Sequence, residues 1–415
     1  MVHMMKRNRF LLILSLFFKV FNAQATIIDN PYLPLFDYAY QHKVDRRSVL
    51  ASNLFVAMSH QGYTELQGTM PLPELFGKYN MTNAAKALVA TGQTNPLPTS
   101  WQSLPNMIWD MQGDLFAQGI WFGYEQYLVA DLSVGFRVPF MHVSTQLEFL
   151  EPDALKASVG LGVGGEANLY TVLTQVNQAL GFSSYQWQTT DFGDFDLYLR
   201  WGTVQDYVYK CRHVDLSLKI GALLPVTGKV ALNTPIAIPL GWYHHYGLYF
   251  ETDFNCDLKD DLRVGFWLNA TNRFAKNQVR RMAAGKELPQ FGAIVGTAQV
   301  DPGLSIGFSP YVWLDDLRDG LGVRASYRMC WHGQDYWRDT RLDQHVPAQL
   351  ESVINNSGWM AEWFTVGFVY DLQQNVSYER HAPFFYLDLD IPSGVFSPHL
   401  VSKTYRLSAG FEFNF

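Results

Sequence analysis

Apolar and polar side chains alternate one for one along much of this chain, most plainly at its C-terminal end. There Tyr405, Leu407, Ala409, Phe411, Phe413 and Phe415 interleave with Arg406, Ser408, Gly410, Glu412 and Asn414. Successive side chains on a strand point to opposite faces, so the segment predicts a strand with one apolar face and one polar or small one. The pattern recurs in Leu132, Val134, Phe136, Val138 and Phe140 against Asp131, Ser133, Gly135 and Arg137. It returns in Val214, Leu216, Leu218 and Ile220 against Asp215, Ser217, Lys219 and Gly221. A longer set is Leu321, Val323, Ala325, Tyr327, Met329 and Trp331 against Gly322, Arg324, Ser326 and Arg328. Phe195, Leu197, Leu199 and Trp201 likewise face away from Asp194, Asp196, Tyr198 and Arg200, and Leu262, Val264, Phe266 and Leu268 away from Arg263, Gly265 and Asn269.

Scanning the chain in this way predicts about 12 strands, near 48–60, 114–126, 131–143, 193–203, 213–224, 242–256, 262–274, 300–313, 319–332, 359–371, 376–389 and 402–415. Each is long enough to cross a bilayer, which takes about 9 to 11 tilted residues. Short links such as Leu258 to Asp261 and Asp315 to Gly320 alternate with long segments such as 61–113, 144–192, 275–299 and 333–358. Short periplasmic turns and long external loops produce that alternation. The expected fold is all-β: a transmembrane, antiparallel, up-and-down barrel over residues 48–415, with both termini on the periplasmic side. Two of the long loops predict short helices, around Asn83 to Ala90 and Tyr170 to Leu180, placed either in the barrel mouth or across its rim.

Composition sharpens this picture. The chain of 415 residues is 48% hydrophobic with 22 Tyr, 29 Phe and 12 Trp, yet its mean hydropathy is only -0.07. Apolar residues are therefore interleaved rather than blocked, as strands with one lipid-facing side require. Lys6, Arg7 and Arg9 precede an apolar run from Phe10 to Phe18, and Ala23, Gln24 and Ala25 follow. That order predicts a secretory signal over 1–25, cleaved before Thr26, with 26–47 as a periplasmic extension or partial plug. Beyond it no apolar stretch is long enough for a membrane helix, so the expected address is the outer membrane of a Gram-negative-type cell. The net charge of -7 excludes nucleic acid as a partner, since phosphate binding needs a basic stripe. Of the three cysteines, Cys211, Cys256 and Cys330, at most one pair can bridge.

The polar faces carry the candidate functional residues. Arg137, Arg200, Lys219, Arg263, Arg324, Arg328 and Arg406 are expected to project into the lumen, opposed by Asp194, Asp196, Asp215, Glu251, Asp253, Glu362, Asp388 and Glu412. Such rows either line a narrow aqueous path for small solutes or pair and close it. A pore for small solutes is the leading reading. The alternatives are a surface protein acting through loop tryptophans such as Trp101, Trp109, Trp337 and Trp359, and an outer-membrane hydrolase. For the hydrolase, His60, His142, His244, His245 and His332 all fall near strand ends on the loop side, where a general base or metal ligand could stand. Gly303, Ser305 and Gly307 fit G-x-S-x-G, but they alternate with Leu304, Ile306 and Phe308 as in any other strand here, without the strand-to-helix turn a nucleophile needs. Gly160, Gly162 and Gly165 fit G-x-G-x-x-G without a surrounding βαβ unit. No catalytic residue, metal or cofactor is expected. The expected partners are outer-membrane lipid, small solutes and the barrel-assembly machinery, the last reading the aromatics Tyr405, Phe411, Phe413 and Phe415.

Gly193 and Asp194 open a strand leading to Arg200 and Trp201, and Gly221 to Gly228 read Gly, Ala, Leu, Leu, Pro, Val, Thr, Gly. On these residues the chain resembles the outer-membrane fatty-acid and aromatic-compound transporter families, in which a similar Gly-x-x-Leu-Pro-Thr-Gly stretch ends a barrel strand. Here Val226 intrudes before Thr227. The resemblance implies a barrel that takes up small or hydrophobic solutes.

Overall fold

The computed structural model describes residues 48–414, apart from 65–67, 130, 152–154, 156–165, 207–210, 229–230, 242–243, 260, 319 and 373–382. The predicted signal sequence, the 26–47 extension, Phe415 and the three glycines of the G-x-G-x-x-G match lie outside these residues.

Twelve antiparallel strands close on themselves. They are β1 (Ser48–Ser59), β2 (Ile108–Val129), β3 (Leu132–Leu150), β4 (Phe195–Asp206), β5 (His213–Leu224), β6 (Gly247–Asp257), β7 (Leu262–Arg273), β8 (Ser305–Arg318), β9 (Leu321–His332), β10 (Trp359–Asp371), β11 (Phe384–Pro392) and β12 (Tyr405–Asn414). Each pairs with its sequence neighbour, and β12 returns to β1 with Val49 opposite Asn414 and Met58 opposite Tyr405. Closure removes both sheet edges, which is what lets β-structure sit in lipid with every backbone group bonded.

The alternation read from the sequence sorts the wall into two faces. Leu54, Val56, Leu199, Ile220, Leu248, Phe368, Leu387 and Leu407 are all exposed on the outside. A continuous apolar girdle on a closed barrel is a lipid-facing surface, because a water-soluble protein does not expose a patch of that extent. Inward positions on the same strands are buried and mostly polar, among them Asn53, Ser133, Lys219, Arg324 and Arg406. β2 and β3, at 22 and 19 residues, run well past the membrane. Their outward faces turn polar at Gln118 and His142, which mark where lipid ends.

The five connections at one end run from 2 to 12 residues, and those at the other end from 12, at 393–404, to 48, at 60–107, so both ends of the described barrel, Ser48 and Asn414, share the short-turn end. Helices α1 (Met81–Ala90) and α2 (Glu166–Ala179) occupy two long connections as expected. Asn80 caps α1, its side chain accepting from the amides of Thr82 and Asn83, as a residue at that position should. Both helices pack with Tyr79, Trp109, Met111, Leu147, Phe149 and Phe291 in one apolar cluster against the inward face of the β2–β3 extension. A further short helix, α3 (Glu351–Asn355), lies in the connection between β9 and β10.

Several expected boundaries move: the strand expected at 114–126 starts at Ile108, the one expected at 131–143 runs on to Leu150, and three others shift as well. The strand predicted at 242–256 begins only at Gly247. The one predicted at 300–313 is two strands: Ile294–Asp301 joins Lys276–Met282 and Tyr336–Asp339 in a small sheet above the barrel, and β8 starts at Ser305. Pro302 cannot donate to a ladder, and a Cβ at Gly303 would lie 2.2 Å from the Gly333 carbonyl oxygen, so the chain breaks there. The strand predicted at 376–389 is observed at Phe384–Pro392, and residues 376–382 lie outside the described residues. Cys211 and Cys256 form the one disulfide, with Cα atoms 5.9 Å apart, while Cys330 is free and buried.

Candidate functional site

The inner wall is built from neighbouring strands whose inward residues meet in register. Tyrosines lie flat over glycines of the next strand: Tyr198 over Gly135, Tyr249 over Gly221, Tyr311 over Gly265 and Tyr386 over Gly410, pairs directly opposite one another in the ladder. A Cβ at any of these glycines would fall within about 2.4 to 2.5 Å of the ring, so only glycine leaves the slot open. The slots turn the hydroxyls along the wall. Tyr198 donates to Glu125 Oε2 at 3.0 Å, Tyr249 to Asp196 Oδ2 at 3.0 Å and Tyr311 to Asp253 Oδ1 at 3.1 Å.

Charges across the lumen face are paired. Arg200 meets Glu125 at 2.8 Å, and Lys219 meets Glu251 at 2.7 Å while standing 4.7 Å over the Tyr198 ring. Arg137 stacks between Trp121 and Tyr198. On the opposite wall Arg324 donates to both oxygens of Asp388 at 3.1 Å, and Asp390 takes Arg406 at 2.9 Å and Arg328 at 3.8 Å. Arg273 meets Asp194 at 2.9 Å near the long-loop end, and Arg263 bridges Asp257 and Asp315 near the short-turn end. Asp215 and Glu412 also face inward.

Glu362 is a correction. It stands opposite Met329, on the face that carries Tyr327 and Phe364 to the outside, and not in the lumen. It is nonetheless only 1% exposed. The segment 393–396 folds over it, the amides of Val395 and Phe396 donating to its carboxylate along with the Tyr327 hydroxyl. Five further partners were missing from the sequence reading: Glu125, Asp257, Arg273, Asp315 and Asp390.

At the long-loop end two connecting segments fold into the barrel mouth. The 3-10 turn Leu72–Phe76 brings Leu72 and Leu75, and the segment after Thr234 brings Ile238 and Leu240, onto Phe55, Ala57, Leu115, Ala117, Met141 and Val143 of the wall. A side-chain bond ties each segment to the wall. Buried Glu74 accepts from the Met111 amide at 2.8 Å, and Thr145 Oγ1 donates to the Ile236 carbonyl at 2.9 Å. Gly77, at φ +114, ends the turn in a conformation that favours glycine.

Above these segments lies a cavity of about 160 Å³. Leu72, Phe76, Ile236, Phe291, Trp337 and Val353 form much of its wall, and Arg280 and Arg281 stand in it from the small outer sheet. Arg280 donates to Gln278 Oε1 at 2.6 Å and lies 6.0 Å over Trp337. Arg281 donates to the carbonyls of Leu232 and Gly292 at 2.6 and 2.9 Å and stacks 4.1 Å over Phe182. Burial pulls its pKa down to about 10.

The histidines do not form one site. His60 contacts Asp114 on the outer rim, His142 meets Thr190, and His245 is held between the Phe274 carbonyl and Gln278. His332 does find a serine and an aspartate: its Nδ1 is 2.8 Å from Ser305 Oγ and its Nε2 is 3.0 Å from Asp335 Oδ1. The two glycine amides beside this chain are already spent, Gly303 on Asp335 and Gly333 on the Leu304 carbonyl. Ser305, His332 and Asp335 thus tie together the ends of β8 and β9. Trp109, Trp337 and Trp359 are buried, which removes three of the four tryptophans offered to a surface partner. Among the described residues no cluster of metal-ligating side chains occurs.

No protein-family model matches the chain, and no curated protein matches it in sequence. In structure it is similar to an outer membrane channel from Pseudomonas putida F1, at 10% identity and a TM-score of 0.49, covering 94% of this chain and 100% of that one. It is also similar to the transport unit of the autotransporter AIDA-I from Escherichia coli, at 6% identity and TM-score 0.39, covering 91% and 94%. The Ralstonia pickettii toluene transporter TbuX matches at 11% identity and TM-score 0.34, covering 89% of each chain.

Proposed function

We propose that the protein is a gated channel for small solutes in the outer membrane of a Gram-negative-type cell. The observation that carries this reading is the mouth: two loop segments seated on an apolar ledge inside the barrel, tied to the wall by the Glu74 and Thr145 side chains, with a cavity directly above them. A structural barrel needs no such seat. Lumen charges that pair across neighbouring strands hold the wall while leaving few free fields, so selectivity falls to the mouth rather than to a charged constriction. Solute would be admitted when the Leu72–Phe76 turn and the Ile236 segment lift. The same reading takes 1–25 as the export signal and the outward aromatics Tyr405, Phe411 and Phe413, with Phe415, as the mark read by the barrel-assembly machinery.

The test is conductance of the refolded chain in a planar bilayer, beside variants Glu74→Ala and Thr145→Ala that cut the pins. The channel reading expects rare openings in the parent and more frequent ones in each variant. Silence from all three, in protein shown to be folded by its heat-modifiable gel mobility, would overturn it.

A further inference from the structure

We propose that the mouth cavity binds a small carboxylate with an apolar body no larger than one six-membered ring, its carboxylate held by Arg281. The inference rests on the channel reading for its purpose, but the site stands on its own geometry. Size sets the first limit: an apolar cavity of roughly 150 Å³ admits benzene, and this one measures about 160 Å³. A long acyl chain does not fit. Chemistry sets the second, for Leu72, Phe76, Ile236, Phe291 and Val353 offer only apolar contact.

The cation sets the third. Arg200, Arg273, Arg324 and Arg406 each pair with a carboxylate inside the barrel. Among the described residues Arg281 has no carboxylate partner: it meets two backbone carbonyls and the Phe182 ring. A guanidinium carries five N–H donors in a planar fork, so two carbonyls leave most of it unspent. A partly desolvated cation without a counter-charge is costly unless a ligand supplies one. The lowered pKa of Arg281 is the same burial seen from the proton's side. The carboxylate of Asp114, which also borders the cavity, is engaged by His60. A ring carboxylate would place its anion on the Arg281 fork and its ring among the apolar side chains, with the two-point geometry that arginine favours.

Isothermal titration of the full refolded chain in detergent with benzoate, toluene and benzylamine tests this. Benzoate should bind at least tenfold tighter than toluene, and benzylamine should not bind. Arg281→Gln should weaken benzoate at least tenfold while leaving toluene within about threefold, which also shows that the variant's cavity is intact. Arg281→Lys, keeping the charge without the fork, should fall between. Equal affinity for benzoate and toluene, or benzoate binding unchanged in Arg281→Gln, would overturn the proposal. Should Arg281→Gln lose toluene as well, Arg281→Lys decides: benzoate binding equal to toluene in that variant counts against the site. Conductance separates the two readings, since a channel that conducts but ignores benzoate refutes only the ligand, and a silent barrel that binds it refutes only the channel.

Discussion

Replacing Asp390 with alanine tests whether the lumen wall is held by dry ion pairs. The carboxylate sits between two guanidiniums, 2.9 Å from Arg406 and 3.8 Å from Arg328, and also accepts from Thr365. The side chains of Arg406, Arg328 and Asp390 are 0%, 3% and 4% exposed. Removing one partner of a buried pair leaves an uncompensated charge and costs about 3–5 kcal/mol. Here two cations lose the same carboxylate, so the loss should fall within that range. The exposed pair of Lys78 with Asp110 is the control, since its loss should cost less than about 1 kcal/mol. Urea unfolding of the refolded barrel in lipid vesicles, followed by tryptophan fluorescence and extrapolated linearly, reads both. Asp390→Asn, which keeps the shape and the Thr365 partner, should lose nearly as much as alanine. A loss below about 1 kcal/mol in Asp390→Ala would mean that Arg406 and Arg328 are hydrated. That outcome would refute the picture of a dry, paired wall and put water along the lumen at this level.

Ile220, 64% exposed on the outside of β5, lies beside Leu199 and Phe250 in the apolar girdle; Ile220→Arg should cost about 2–4 kcal/mol in vesicles, and a neutral result would place that band in water. The bridge of Cys211 to Cys256 spans 45 residues, and the loop-closure relation gives about 4 kcal/mol for that length; Cys211→Ser should lower unfolding stability by that amount or less, because β5 and β6 are already paired. Maleimide should not label Cys330 in the folded protein, being buried, and should do so in urea. Burial lowers the pKa of His245 to about 4 from 6.5, so between those values the unfolded loop binds the proton that the folded one refuses. Stability of the loop before β6 is therefore whole above pH 6.5 and lost as pH falls toward 4; the protection factor of the Phe274 amide, which donates to the Tyr246 carbonyl, should fall over that window in the parent and not in His245→Phe.

The barrel was legible because its constraint is local. A strand in lipid must alternate with period two, so Leu132 to Phe140 and Tyr405 to Phe413 declare both their structure and their outward face without any neighbour in view. Lumen residues were assigned by the same parity, and Lys219, Arg324 and Asp388 are buried on the face opposite the apolar girdle. Glu362 was misplaced because its charge was followed instead of its parity: it keeps to the outer face, and a loop more than thirty residues away supplies the amides that bury it. Counting Trp359, Ala361 and Trp363 as one face would have placed it outside. Glu125 and Asp390 were also within reach, each two positions from an inward residue on its own strand.

The choice between a pore and a closed lumen was beyond the sequence because no periodic element decides it. The wall was expected to carry charges that either line a path or cancel, and several of them pair across neighbouring strands, while the residues seated in the mouth are Leu72, Leu75, Ile238 and Leu240, apolar residues of loops with no strand pattern. Their seat on Phe55, Leu115 and Met141 depends on contacts between segments far apart in the chain. The energetics of that arrangement are those of a gate. A buried ion pair resists change because breaking it strands a charge, whereas loop leucines held by apolar contact and by neutral hydrogen bonds, each worth about 0.5–1.5 kcal/mol net, leave a ledge at lower cost. A wall fixed by Asp390 and Asp388 and a mouth closed by Leu72 and Ile238 divide rigidity from motion, so the loops should open while the strands stay still.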